Sequence, residues 1–187
     1  EKNGEWGQAL SLLCESRDLH LTPGAVTYNA AIGACASGLR WQHALALVQQ
    51  MQEAGVPLDV ITYTAAIVAA GRGLQWTCAA RLFHEARESR RVRQDVLLCN
   101  AAIGAYEACQ QWECALSVLR EMRSDIVAPD DVTYQSAISA CKGGFNWQCG
   151  LTLFKDMTSK LVSPTVMTYG AAMAACGAQW EQALGLL

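Results

Sequence analysis

Apolar residues recur along this chain in two alternating stripes, each with the spacing of one face of an α-helix. Tyr28, Ala31, Ile32 and Cys35 fall at i, i+3, i+4 and i+7, and Tyr134, Ala137, Ile138 and Cys141 repeat the set. That spacing lines up one side of a 3.6-residue period. A second stripe, Trp41, Ala44, Leu45, Val48 and Met51, follows the first and returns as Trp112, Ala115, Leu116, Leu119 and Met122. Between the stripes lie Ser37-Gly38, Arg72-Gly73 and Lys142-Gly143-Gly144, residues that stop a helix and permit a tight αα turn. The pattern predicts an all-α chain of antiparallel helix pairs with almost no strand. No apolar run approaches the ~18 residues that a membrane span needs, so no membrane partner is expected.

The stripes keep a fixed period. Tryptophans stand at 6, 41, 76, 112, 147 and 180, spaced 35, 35, 36, 35 and 33 residues apart. Upstream of each of the last five sits a matching block: VTYNAAIGAC from Val26, ITYTAAIVAA from Ile61, LLCNAAIGAY from Leu97, VTYQSAISAC from Val132 and MTYGAAMAAC from Met167. All four prolines, Pro23, Pro57, Pro129 and Pro164, stand five or six residues before a block tyrosine, at joints where a missing N–H costs nothing. These marks give whole repeats at residues 25–59, 60–95, 96–130 and 131–165, with partial ones at 1–24 and 166–187. A fixed period of this length signals stacked units that bury their apolar faces only against neighbours. The expected fold is therefore one solenoid over residues 1–187, a right-handed α-α superhelix with the first helices lining its concave face. The tryptophans are expected to be mostly buried at the turn end of each pair. The incomplete end repeats read as a piece of a longer chain.

Composition narrows the function. The hydrophobic content of 52% is largely alanine at close helix contacts, and the net charge of −3 argues against a strongly basic nucleic-acid surface. The nine cysteines include no CxxC, and His20, His43 and His84 are too scattered to join them as zinc ligands. Cys35, Cys141 and Cys176 share one position of the apolar stripe, where a thiol behaves as a small hydrophobe. Unpaired cysteines in odd number suit a reducing compartment. There is no GxSxG, P-loop or HExxH, so no catalytic residue, metal or cofactor is expected. Asp130-Asp131 reads as helix-start charge favoured by the macrodipole, and Arg90, Arg91 and Arg93 as a solvated patch.

A 35-residue helix-turn-helix unit that opens with VTYN and closes with P-x-D or PD resembles the pentatricopeptide repeat. The resemblance covers nearly the whole chain and implies a modular binder of single-stranded RNA that reads one base per repeat with two or three side chains. The implied readers are the residue after the VTY block and the last residue of the repeat: Asn29 with Asp59, Thr64 with Asp95, Asn100 with Asp130, and Gln135 with Thr165. In the family's code Asn with Asp favours U and Thr with Asp favours G; Gln135/Thr165 departs from the usual pairs and Gly170 offers no side chain. Val26, Ile61, Leu97, Val132 and Met167 resemble the family's base-sandwiching wedge. On spacing alone, the polar residues read as well as ordinary first-turn residues, the acids as caps, and the aliphatics as core. The resemblance further implies a role in RNA processing, stability, editing or translation in a mitochondrion or chloroplast. It allows a nuclease domain outside this segment. A protein-interaction scaffold is the alternative, and the acidic balance favours it.

Overall fold

The computed structural model describes residues 5–19, 22–89, 95–143 and 146–177. Among them are ten helices and no strand: α1 (Glu5–Asp18), α2 (Ala25–Ser37), α3 (Trp41–Glu53), α4 (Val60–Arg72), α5 (Trp76–Glu88), α6 (Val96–Ala108), α7 (Trp112–Ser124), α8 (Asp131–Gly143), α9 (Trp147–Ser159) and α10 (Val166–Cys176). The chain forms two compact units, Glu1–Gln94 and Asp95–Leu187. In the first, α2 packs on α1, α3 and α4, and α4 packs on α3 and α5. In the second, α6 packs on α7 and α8, while α8 also meets α7, α9 and α10. First helices are thus covered on several sides, which is why their faces are rich in alanine.

The first stripe lies where its spacing places it. Tyr28, Ala31, Ile32 and Cys35, like Tyr134, Ala137, Ile138 and Cys141, are at most 2% exposed. Burial pushes the thiols of Cys35, Cys141 and Cys176 above their ordinary pKa, consistent with packing. Tyrosines tie the first helix to the second. The Tyr63 hydroxyl donates to Glu85 Oε1 at 3.1 Å and the Tyr134 hydroxyl to Asp156 Oδ2 at 2.7 Å. Burial, then the charge of Glu85, pushes Tyr63 up to about 12.

The second stripe is rotated from the expected one. Its buried residues are Ala44, Leu47, Val48 and Met51 in α3 and Ala115, Val118, Leu119 and Met122 in α7. Trp41 with Leu45, and Trp112 with Leu116, stand on the half-exposed flank. The tryptophans are mostly covered, as expected, though none of the four is fully buried: Trp41, Trp112 and Trp147 are intermediate and Trp76 is 37% exposed. The reason is visible at the turns. A Cβ on Gly38 would stand 2.6 Å from Trp6 Cδ1, and one on Gly73 would stand 2.3 Å from Trp41 Cδ1. The Trp6 and Trp41 indoles lie against the turn backbone of the next repeat, which covers only part of so large a ring.

Those glycines do not supply the left-handed residue of the turn. Gly38 and Gly73 have φ of −82° and −83°, and the positive φ falls one residue later, at Leu39 and Leu74. The closing bonds, Arg40 N–H to Cys35 O and Gln75 N–H to Ala70 O, both 2.9 Å, are those of the Schellman motif. Glycine is required here for clearance. Arg90, Arg91, Arg93, His20, Trp180 and Gly144 lie outside the described residues.

Candidate functional site

The site is built where one repeat ends and the next first helix begins. Asp59 leaves the helical conformation at φ −111°, ψ 177° and caps α4, its Oδ1 accepting the Thr62 N–H at 2.8 Å. An N-cap acid satisfies a donor that the helix itself leaves unpaired. The same carboxylate reaches back to α2, where Asn29 Nδ2 donates to Oδ1 at 3.2 Å and to Oδ2 at 3.4 Å. The Thr62 hydroxyl lies 2.6 Å from Asn29 Oδ1 and 2.8 Å from Asp59 Oδ1. Asp130 repeats this in the second unit. It accepts the Thr133 N–H at 2.8 Å and Asn100 Nδ2 at 3.1 and 3.3 Å, with the Thr133 hydroxyl 2.5 Å from Asn100 Oδ1.

Partial burial works to raise the pKa of Asp59 and Asp130. Donors from the threonine backbone and the asparagine amide outweigh it, so both acids lie below their ordinary value because hydrogen bonds favour the charged form. The acid that caps the helix and the acid that holds the preceding asparagine are therefore one residue. Spacing could not separate the two readings because the side chain serves both.

The other pairs differ. Thr64 is half-buried on α4, and its Oγ1 has no hydrogen-bond partner among the described residues. Asp95 caps α6 through the Leu98 N–H at 2.8 Å, and Leu98, which aligns with Thr62 and Thr133, has no hydroxyl to add. Thr64 and Asp95 belong to different compact units. Thr165 caps α10 in a box with Thr168, their hydroxyls 3.0 Å apart. No hydrogen bond joins Gln135 to Thr165 among the described residues. Gly170 is exposed.

Exposure decides against the core reading of the aliphatic set. Val26 is 83% exposed, Ile61 60%, Leu97 58%, Val132 47% and Met167 64%. Each of the first four precedes a polar residue, Asn29, Thr64, Asn100 or Gln135, by three positions, which places both on one side of a helix. Sequence reasoning overlooked Thr62 and Thr133, both 0% exposed. Their signal was a polar residue recurring inside an otherwise apolar block. No cluster able to hold a metal, and no helix long and apolar enough to cross a membrane, occurs among the described residues.

Helix pairs of fixed period, whose first helices open on an exposed aliphatic and, in α2 and α6, on an asparagine held by the next cap, define an α-helical repeat protein of the solenoid class. Two family patterns agree with that period: the PPR repeat family matches residues 23–70 and the pentatricopeptide repeat domain matches residues 81–144. The chain belongs to the pentatricopeptide repeat family. Its fold resembles that of the pentatricopeptide repeat protein PPR10 from maize, with 28% identity and a TM-score of 0.78 over 98% of this chain and 26% of that one. PPR10 in complex with an 18-nt psaJ RNA element matches at 21% identity, with a TM-score of 0.80, over 95% of this chain and 26% of that one. The PPR domain of Arabidopsis thaliana protein-only RNase P 1 in complex with tRNA matches at 15% identity, with a TM-score of 0.76, over 97% and 92% of the two chains. The chain thus spans about a quarter of the length of the PPR10 chains. No curated protein matches it in sequence.

Proposed function

We propose that this chain binds single-stranded RNA at the starts of its first helices, one base per repeat. The observation that carries the proposal is the tethered amide: Asn29 on Asp59 and Asn100 on Asp130, in two repeats with distances equal to within 0.1 Å. A helix cap has no need of an amide from the preceding repeat. An amide held in this way keeps one Nδ2 hydrogen and one Oδ1 lone pair, a donor beside an acceptor. The N3–H and adjoining carbonyl of uracil complement that order. The exposed aliphatics Val26, Ile61, Leu97, Val132 and Met167 supply apolar contact to either side of a base. Thr64, and Gln135 with Thr165, would read the bases facing their own repeats.

Family membership supports the reading, as does the likeness to a PPR10 structure that holds an RNA element. We infer a binding rather than a catalytic role, in RNA processing, stability, editing or translation in a mitochondrion or chloroplast, with protein partners acting beside the RNA. Few repeats and a net charge of −3 imply weak binding that falls steeply with salt, since phosphate contacts act by counterion release.

The test is a set of short RNAs differing at the base facing Asn100. The wild type should prefer U there, and Asn100→Thr should move the preference toward G, a matched base being worth roughly 1–3 kcal/mol. Equal affinity for all four bases in both proteins would sink the reading and leave a protein scaffold in its place.

A further inference from the structure

We infer that Thr62 and Thr133 are specificity-determining positioning residues: each fixes the asparagine amide of the preceding repeat and so sets the choice between uracil and cytosine. The inference rests on the RNA-reading proposal above and assigns part of that site to a residue of the neighbouring repeat. Both threonines are 0% exposed, so neither touches a base itself.

The geometry assigns the hydroxyl proton. Thr62 Oγ1 has one hydrogen and two acceptors in reach, Asn29 Oδ1 at 2.6 Å and Asp59 Oδ1 at 2.8 Å. Asp59 Oδ1 already receives the Thr62 N–H at 2.8 Å and Asn29 Nδ2 at 3.2 Å. Asn29 Oδ1 is the nearer acceptor and has no other donor among the described residues. The proton therefore goes to the amide oxygen. Thr133 stands 2.5 Å from Asn100 Oδ1 and 2.7 Å from Asp130 Oδ1, the same choice with the same outcome.

The asparagine is thus held at both ends, its NH2 by a carboxylate and its carbonyl by a hydroxyl. The terminal torsion of an asparagine is broad, and one anchor leaves the amide free to swing about it. Two anchors fix the plane. Uracil presents a donor at N3, whereas cytosine presents an acceptor at N3 and its donor at the exocyclic N4. A fixed amide meets one of these edges; a swinging amide can adjust to both. The chain carries its own contrast, because Leu98 aligns with these threonines and lacks the hydroxyl, and Thr168 turns toward another hydroxyl, that of Thr165.

The test uses the full chain with Thr133→Val, which keeps the shape and removes the hydroxyl, and Thr133→Ser, which keeps the hydroxyl. RNAs carrying U or C opposite Asn100 are compared. Valine should lower the U-over-C ratio by about fivefold to tenfold, the range of one net hydrogen bond, and serine should hold the wild-type ratio. A valine variant that loses affinity or thermal stability evenly, with the ratio unchanged, would show a structural cap only and overturn the inference. A wild type with no U-over-C preference would instead remove the RNA reading. The side-chain amide signals of Asn100, followed by NMR without RNA, test the positioning separately. They should broaden or average in the valine variant and stay sharp in the serine variant. Signals unchanged by valine would overturn the positioning role whatever the RNA result.

Discussion

Asn29 and Gln135 hold the same register of α2 and α8, each thirty residues before the residue that caps the next first helix, yet only one of them is tethered. Asp59 and Thr165 both make capping boxes, with Thr62 and Thr168. The helix therefore starts equally well in both places. What differs is the spare capacity of the cap. A carboxylate has acceptor sites left after serving the backbone N–H, whereas a threonine hydroxyl already engaged with a second hydroxyl has little to offer an amide. Gln135 also carries one more methylene, which moves its amide outward. The repeat frame and the tether are thus separable: the fold needs a cap, and of these two caps only the acid is a partner for the preceding repeat.

The largest effect should come from breaking the tethered site. Asp59→Ala removes the cap of α4, the anchor of Asn29 and the partner of a buried threonine, and should cost about 2 kcal/mol, the upper end for N-cap loss. Thr165→Ala removes a cap alone and should cost about 1 kcal/mol. Urea unfolding followed by circular dichroism measures both. Equal losses would mean that the amide tether adds nothing to stability.

A smaller effect, and a sharper one, comes from building the tether where it is missing. Gln135→Asn with Thr165→Asp reproduces the residues of the Asn29 and Asn100 sites, and Thr168 already stands where Thr62 and Thr133 do. The double variant should acquire a preference for U opposite residue 135 worth roughly 1 kcal/mol, the low end for a base contact. Either change alone should leave the preference absent. If a single change sufficed, the pairing of amide with acid would not be the reading unit.

Much of this was legible in the sequence and some was not, for physical reasons. The all-α repeat could be read because period, block and proline joints agree and because both stripes keep the spacing of a helix face. The second helix carries apolar residues beyond its core stripe, so Leu45 and Leu47 compete for the core. Only packing on two neighbours selects Leu47. The residual exposure of the tryptophans could not be foreseen, because part of the cover of Trp6 and Trp41 is turn backbone at Gly38 and Gly73, and backbone leaves no apolar pattern to read. That Asn29 pairs with Asp59 and Asn100 with Asp130 was legible through family resemblance, and the hydrogen bonds join both pairs. The threonines that complete them were hidden inside a block that reads as hydrophobic.

The smallest expected effect separates the two kinds of site by pH. Asp59 and Asp130 have folded-state pKa values below the ordinary 3.8. A lowered folded pKa means that the unfolded chain takes up the proton first on acidification. The stabilisation is therefore fully present above the unfolded value and is lost as pH falls through 3.8 and then through the folded value. The Gln135–Thr165 pair has no group that titrates there. Asp59→Asn with Asp130→Asn keeps a capping side chain at both positions and removes the titration. Unfolding at pH 5 and pH 3 should show the wild type losing more stability than the double variant, since the remaining carboxylates act alike in both. Equal losses in the two proteins would mean that neither acid is held below its ordinary pKa.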